Sequence, residues 1–281
     1  MSGKAGLRYL IFLGVLLFSS SVWPQGSIEN TVQELLNAIR ITAPLSFCGE
    51  KVPLETGDVR ERLERELLLS LWREPQVILW IKRMSRYMPV VSSILKKHGL
   101  PEDLKYLAII ESDLMPHEGS PKGAMGYWQF IEGTAERYGL RVDSRFDDRR
   151  NIYKSTEAAA AYLMFLHDRF GSWTLGAAAY NMGEEGLEAA ILEQKQKDFY
   201  RLYLPLETQR YILRAVAVKL ILDNPAPYGF ILLPADLYPP VDIDTVSFQL
   251  NEDTAVQIIA EAAGTDFKVI KDLNPEIRGH Y

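Results

Sequence analysis

Apolar residues recur at helical spacing through most of the stretch from residue 27 to residue 222, and this period is the strongest constraint on the fold. No run of alternating polar and apolar residues within it is long enough to indicate a sheet. Pro75 and Pro89 are expected to begin new helices, and residues 43–57, rich in proline and glycine, to form a loop. The sequence therefore predicts an all-α fold.

One predicted helix, between Pro101 and Pro116, carries an acid on its apolar face. The apolar stripe of this helix consists of Leu104, Leu107, Ala108 and Met115. Glu111 lies on the same stripe, three residues after its alanine. Burial favours the protonated form of a carboxyl and raises its pKa, which suits a general acid working near neutral pH. Spacing alone equally allows a structural glutamate that pairs with an arginine.

The residues that follow the acid, 120–130, have the composition of a loop. One proline and two glycines break regular structure there, and aromatic side chains cluster at its end. Gln129 adds an amide that can donate and accept hydrogen bonds. An apolar wall with a few polar groups and an inward acid is typical of a ligand cleft, although an ordinary glycine-rich turn remains the alternative. Trp128 either packs under this loop or contacts a ligand, and both roles stay open.

Four short motifs occur in order along the chain. They are I-I-E-S at 109–112, G-A-M-G-Y-W-Q-F at 123–130, A-Y-N-M-G at 179–183 and E-T-Q-R-Y at 207–211. Together they resemble the soluble lytic transglycosylase (SLT) family over roughly residues 94–222, and more loosely from residue 58. The resemblance implies a lysozyme-like helical SLT domain at 94–223, preceded by an N-terminal helical region at 27–93.

The family resemblance also implies an enzyme that acts on the glycan strands of bacterial peptidoglycan. By analogy, the bond cleaved is the β-1,4 linkage between N-acetylmuramic acid (MurNAc) and N-acetylglucosamine (GlcNAc), and the product ends in 1,6-anhydroMurNAc. Glu111 corresponds to the family's catalytic acid, which protonates the glycosidic oxygen and then, as a carboxylate, accepts the proton of the muramic C6 hydroxyl. Because the nucleophile belongs to the substrate, no second carboxylate, cofactor or metal is expected, unlike in most glycosidases.

The same motifs provide further candidate site residues. The expected substrate-binding residues are Ser112, Gln129, Tyr180, Asn181, Tyr211 and Glu207. By analogy, Ser112 lies beside the acid and positions it or the substrate, and Tyr211 lies near the acid. Glu207 either contacts substrate or caps its helix.

Two alternatives remain beside the transglycosylase. A muramidase would add water to the same bond, and the lack of a second acid with an equal claim speaks against it. A non-catalytic peptidoglycan-binding scaffold would have no need for Glu111, whose inward position is costly.

The C-terminal part of the chain differs in composition from the helical stretch. Five prolines between residues 224 and 240 predict an extended linker. Residues 241–281 resemble part of a LysM module, with a short strand expected at 246–250 and two short helices after it. The closing strand of that module is missing, so a partial LysM-like segment is predicted.

The N-terminal residues have the pattern of an export signal. A basic start, a short apolar run and small residues predict a signal peptide at 1–26, and hence a location in the periplasm or cell envelope. An uncleaved anchor is the alternative, with peripheral association with the membrane or cell wall. Cys48, the single cysteine, is expected to be a free, buried thiol.

Charge and acid spacing argue against two other classes of partner. The formal net charge of −6 and the lack of a dense basic patch argue against nucleic acid. Asp143, Asp147 and Asp148 lack the central glycine and closing glutamate of a calcium loop, so no metal is expected. Instead, Asp147, Arg149 and Asn151 are expected to tie this loop down through hydrogen bonds.

Overall fold

The computed structural model describes residues 25–42, 44–249 and 252–280, with side chains from residue 32 onward. In this part of the chain the α-helices are α1 (Gln25–Ile39), α2 (Gly57–Trp72), α3 (Glu74–Lys97), α4 (Lys105–Ser112), α5 (Glu132–Arg137), α6 (Ile152–Phe170), α7 (Trp173–Met182), α8 (Glu184–Gln194), α9 (Leu206–Asp223), α10 (Val256–Ala262) and α11 (Phe267–Leu273). The predicted all-α class is therefore confirmed. The predicted signal peptide lies outside the described residues, apart from its last two, which begin α1.

Contacts divide the chain into two compact units on either side of residue 37. The first unit contributes most of α1, and every element from β1 onward belongs to the second. Within the described ranges, no helix combines the length and the apolar character needed to cross a bilayer.

A two-stranded hairpin occupies part of the predicted loop at 43–57. Strands β1 (Leu45–Phe47) and β2 (Glu50–Val52) pair antiparallel, with Leu45 opposite Val52. The turn uses Cys48 and Gly49 in the left-handed conformation, with φ of 53° and 79°. Strands of three residues are too short to show alternation in sequence, which is why the loop prediction missed them. Cys48 is buried and free, as predicted.

The core of the second unit forms where helices distant in sequence pack together. Helix α9 packs against α2, α4 and α7, while α6 packs against α3 and α7. The salt bridge between Glu66 and Arg210 fixes α2 to α9, with Nε–Oε1 and Nη2–Oε2 distances of 2.7 and 3.1 Å. The Glu66 side chain is almost fully buried, and Arg65 of the same helix also lies 3.1 Å from its Oε1, so two arginines compensate its charge.

Helix α3 continues through Pro89, so the predicted new helix at this residue is wrong. An internal proline costs a helical hydrogen bond. In α3 an apolar face on both sides of the proline packs into the core, which offsets that cost. The predicted domain boundary at residue 93 falls inside the same helix, and the division at that residue stays a prediction.

The proline-rich stretch 224–240 is attached, near its own C-terminal end, to α3. Tyr238 donates its backbone N–H to the Lys82 carbonyl at 3.2 Å, and Arg86 donates Nε to the Pro239 carbonyl at 3.1 Å. The two short helices predicted beyond it are present as α10 and α11. The described residues of the predicted strand at 246–250 are irregular and exposed.

The segment 252–280 contacts the loop Asp143–Asn151. The backbone N–H of Asp147 donates to the Glu276 carbonyl, and that of Arg278 donates to the Arg145 carbonyl, both at 2.8 Å. Asn151 also donates its side-chain amide to Glu276 Oε1 at 2.8 Å. These contacts connect the end of the chain to the loop that precedes α6.

Candidate active site

The acid at position 111 is carried by a short helix whose end is held by its neighbour. Helix α4 stops at Ser112, and the next two residues, Asp113 and Leu114, are left-handed with φ of 54° and 59°. From α3, Trp80 donates its indole N–H to Asp113 Oδ1 at 2.6 Å, and Arg83 donates to the Asp113 carbonyl at 2.8 Å. The predicted helix end at Pro116 is therefore wrong, because these tertiary bonds stabilise an earlier stop.

The predicted apolar stripe of this helix is confirmed for three of its four members. Leu104, Leu107 and Ala108 are completely buried, whereas Met115 lies beyond the helix and is 37% exposed. Glu111 is partly exposed toward a cleft, while its carboxyl is enclosed by protein. The inward acid is thus present as the spacing predicts.

Among the described residues, the carboxyl of Glu111 has one direct hydrogen-bond partner and two charges nearby. Tyr211 donates its hydroxyl to Glu111 Oε1 at 2.5 Å. Burial raises the pKa of Glu111 to about 7, and the negative charge of Glu207 also raises it. The hydrogen bond from Tyr211 and the positive charge of Arg214 act in the opposite direction and lower the pKa. A carboxyl with this pKa can hold or release a proton near neutral pH. The direct partner is a tyrosine, not the arginine of the alternative interpretation.

The loop beside the acid is held by a buried arginine. Arg149 forms a bidentate pair with Asp147, with N–O distances of 2.7 and 2.9 Å. The same guanidinium donates to the carbonyls of Gly123 and Phe130 at 2.9 and 3.1 Å. At Gly126, with φ of 80°, a Cβ atom would lie 1.9 Å from the Arg149 carbonyl oxygen. The prediction that Asp147 and Arg149 form hydrogen bonds that hold the loop 140–151 is confirmed.

Asn151, the third residue expected to tie down the loop 140–151, acts mainly on the next helix, α6. Its side-chain oxygen accepts the backbone N–H groups of Tyr153 and Lys154 at the start of α6. A short polar side chain at this position satisfies donors that have no partner within the helix.

A cleft of about 630 Å³ brings most of the predicted site residues together. Gln129, Tyr180, Asn181 and Glu207 line it together with Glu111. Tyr180 donates its hydroxyl to the Trp128 carbonyl at 2.6 Å, which connects α7 to the loop wall. Asn181 accepts a hydrogen bond from the Thr208 hydroxyl at 2.8 Å, which connects α7 to α9. The cleft therefore lies between the loop, α7 and α9.

Two predicted substrate-binding residues lie beneath the cleft surface. Tyr211 is fully buried against Glu111. Ser112 is also buried, and its hydroxyl donates to the carbonyls of Ala108 and Tyr127 at 3.1 and 2.8 Å. Ser112 thus connects the helix of the acid to the loop, a geometry suited to positioning.

Trp128 takes the packing role of the two left open. Its side chain is fully buried, and its indole N–H donates to the Thr156 hydroxyl at 2.9 Å. The side chain supports the loop from below and does not reach the cleft.

Several charged cleft residues had no counterpart in the predictions. Arg137 of α5 pairs with Glu184 of α8 at 2.9 Å, and Tyr162 donates its hydroxyl to the same carboxylate at 2.6 Å. No motif spacing connects these three residues, which meet only in the folded chain. Arg214 was also missed, although its position three residues after Tyr211 on one helical face is a usable signal. Among the described residues, no group of three His, Cys, Asp or Glu side chains is arranged to hold a metal ion.

Known proteins match the segment that forms this cleft. The family model of the transglycosylase SLT domain matches residues 90–203. Membrane-bound lytic murein transglycosylase D of Escherichia coli K12 is 33% identical over 244 residues, which are 83% of this chain and 52% of that protein. Peptidoglycan transglycosylase gp16 of phage T7 is 41% identical over 103 residues, which are 36% of this chain and 8% of that protein. The chain thus spans about half the length of the murein transglycosylase.

Proposed function

Because the chain belongs to the transglycosylase SLT family through residues 90–203, we propose that it is a lytic transglycosylase of peptidoglycan. In this reaction the β-1,4 bond between MurNAc and GlcNAc breaks, and the muramic residue is left as 1,6-anhydroMurNAc. The names of the bacterial and phage relatives, both transglycosylases, support this activity.

Glu111 performs both proton transfers in the proposed reaction. Its acid form gives a proton to the glycosidic oxygen as the bond from that oxygen to C1 of MurNAc breaks. The resulting carboxylate takes the proton of the C6 hydroxyl as O6 bonds to C1, so no water is consumed. The observation that carries the proposal is an enclosed carboxyl in the cleft whose pKa is about 7, since both of its forms are then accessible near neutral pH.

Residues around the acid have supporting roles in this proposal. Tyr211 orients the carboxyl through its hydrogen bond, and Ser112 holds the helix of the acid against the loop. Gln129, Tyr180 and Asn181 provide polar groups along the cleft for sugar hydroxyl and acetamido groups.

Hydrolysis of the same bond is the second candidate, and one observation favours it. Glu207 lines the cleft, as Glu184 and Glu185 do, and its charge acts on Glu111. In a muramidase this group would orient a water molecule. Its ion pair with Arg214, at 3.4 Å, and the pKa of Glu111 are equally compatible with a role in tuning the acid.

The products distinguish these functions. Purified protein is incubated with peptidoglycan sacculi, and the released muropeptides are analysed by mass spectrometry. Ends lighter by one water are expected and indicate anhydro products. Reducing ends would indicate the muramidase, and binding to sacculi without release would indicate a scaffold.

The variant Glu111→Gln is expected to reduce turnover by about 10²- to 10⁴-fold, since it keeps the shape of the side chain and removes the proton. Its binding to sacculi should persist. The control is Glu136→Gln, which changes an exposed glutamate of α5 and should leave release unchanged. Activity of Glu111→Gln close to that of the wild type would contradict the proposed mechanism.

We also propose that the protein works in the cell envelope with glycan strands as its partner. The bacterial relative is named as membrane-bound, which supports this location. The partial LysM-like segment at 241–281 and the helical region at 27–93 remain proposals about domain organisation. Sedimentation with sacculi, compared with membrane vesicles, tests which envelope component is bound.

A further inference from the structure

Arg214 contacts three parts of the site at once. From α9 its Nη2 donates to the Ile110 carbonyl, the peptide next to Glu111, at 3.1 Å. Its Nη1 lies 3.4 Å from Glu207 Oε1. The guanidinium carbon is 6.0 Å from the ring centre of Tyr211, whose hydroxyl binds Glu111. The side chain therefore joins the backbone beside the acid, the tyrosine on the acid and a cleft carboxylate.

The guanidinium is more enclosed than a surface ion pair requires. Its side chain is 31% exposed, and its Nε atom is buried without a hydrogen-bond partner among the described residues. A buried donor without an acceptor is unfavourable, so this placement needs a compensating role. Because arginine stays protonated throughout the physiological range, it supplies a constant positive charge near Glu111.

We propose that Arg214 is a positioning residue that stabilises the carboxylate form in which the first proton transfer leaves Glu111, and that Glu207 limits this effect by pairing with Arg214. The inference rests on the proposed function and deepens it. In this inference the ion pair between Arg214 and Glu207 adjusts the pKa of Glu111, which gives a reason for pairing a cleft carboxylate with an arginine.

Few other groups can produce the same effect. In the described part of the chain, the ionisable groups that interact electrostatically with Glu111 are Tyr211, Arg214 and Glu207 from α9 and Tyr180 from α7. Burial raises the pKa of Tyr180 and of Tyr211 well above the usual value, so both stay neutral around pH 7. The charges that act on Glu111 in this range are therefore those of the ion pair, with opposite signs.

The opposite signs predict opposite shifts in the pH dependence of kcat/KM. The acid form of Glu111 is needed to begin the reaction, so activity falls as pH rises through its pKa. Arg214→Gln is expected to move this fall to higher pH by about one unit and to lower kcat by up to about tenfold. Glu207→Gln is expected to move it to lower pH. Arg214→Lys retains the charge and should keep a profile close to the wild type.

The control is Arg62→Gln, which removes an arginine from an exposed ion pair away from the cleft, 3.5 Å from Asp58 on α2. This variant should leave the profile unchanged. Thermal melting and sedimentation with sacculi verify that each variant is folded and binds glycan. Coincident profiles for Arg214→Gln and the wild type, or shifts in the same direction for Arg214→Gln and Glu207→Gln, would overturn the inference.

A second readout separates this inference from the proposed function. The titration of Glu111 is followed by carbon NMR in protein labelled at glutamate, with Glu111→Gln used to assign the signal. Arg214→Gln should raise the midpoint and Glu207→Gln should lower it, whether or not the protein releases anhydro products. An unshifted midpoint in Arg214→Gln overturns the inference, while a wild type without anhydro products overturns only the proposed function.

Discussion

Glu111 keeps a proton at pH values where an exposed glutamate has lost it. Burial raises its pKa from 4.5 to about 7. Between these values the folded protein binds a proton that the unfolded chain does not, so the free energy of unfolding falls as pH rises through this window. The cost reaches up to about 3 kcal/mol above pH 7. The acid is therefore held in the cleft at the expense of stability.

Glu111→Gln should remove this cost, because an amide does not ionise. We expect the variant to melt at a higher temperature than the wild type at pH 8 and at nearly the same temperature at pH 4.5. Melting of both proteins over this range, in buffers of equal ionic strength, measures the difference. A constant difference across the range would show that ionisation of Glu111 is not its source.

Local periodicity in the sequence predicts the position of Glu111 but not its hydrogen bond with Tyr211. The inward position of Glu111 follows from its spacing to Ala108 on one face of α4 and to Leu104, which immediately precedes that helix. The hydrogen bond from Tyr211 joins residues 100 positions apart, and local periodicity carries no information about such a pair. Its prediction came from the motif resemblance alone.

At the scale of elements, the loop 119–130 depends on a close approach between two backbones. Gly123 and Gly126 have nearly equal positive φ values of 81° and 80°. A Cβ on Gly123 would meet nothing within 4 Å, whereas one on Gly126 would collide with the Arg149 carbonyl. A substitution at Gly123 therefore tests backbone strain alone, whereas one at Gly126 tests backbone strain together with steric overlap.

Gly123→Ala is expected to cost about 1 kcal/mol, the strain of a left-handed alanine. Gly126→Ala should cost about 3 kcal/mol or more, because the loop must also move away from Arg149. Denaturant unfolding of both variants measures the difference. Turnover should fall further in Gly126→Ala, since Gln129 moves with the loop. Equal costs in the two variants would show that the loop moves away from Arg149 without an additional loss of stability.

The predicted helix boundaries were wrong where tertiary contacts outweighed the local sequence signals. Pro89 is a strong local signal for a helix boundary, yet the buried face of α3 continues through it. The end of α4 depends on bonds from Trp80 and Arg83 to Asp113, which lie 33 and 30 positions away in sequence. Helix α9, in contrast, ends at Asp223, one residue beyond the helical stretch that the apolar spacing predicts.

At the scale of the molecule, the segment 252–280 is attached to the unit that holds the cleft. Backbone bonds from Asp147 and Arg278 connect it to the loop Asp143–Asn151. The ion pair of Arg145 with Asp253 is exposed and contributes little by itself. The LysM resemblance predicted short helices there, but it had no means of predicting where they would dock.

Hydrogen exchange measures this attachment. The amides of Asp147 and Arg278 should exchange slowly and to a similar extent, because each donates to the other segment. The exposed residues 241–249, which form no helix or strand, provide the internal reference for fast exchange. Exchange at Asp147 as fast as in that reference would show that the segment moves as an independent module.

The packing of α9 against α2 and α4 also determines when the molecule can be completed during its synthesis. Chains grow from the N-terminus, so Glu111 leaves the ribosome 100 residues before Tyr211. Until α9 follows, the apolar faces of two earlier helices lack their cover, and the nascent chain has to be kept from associating with others. Glu111 is synthesised early, whereas Tyr211 and Arg214 are synthesised later, as part of α9. A chain interrupted before residue 206 would therefore carry the acid without the groups that control it.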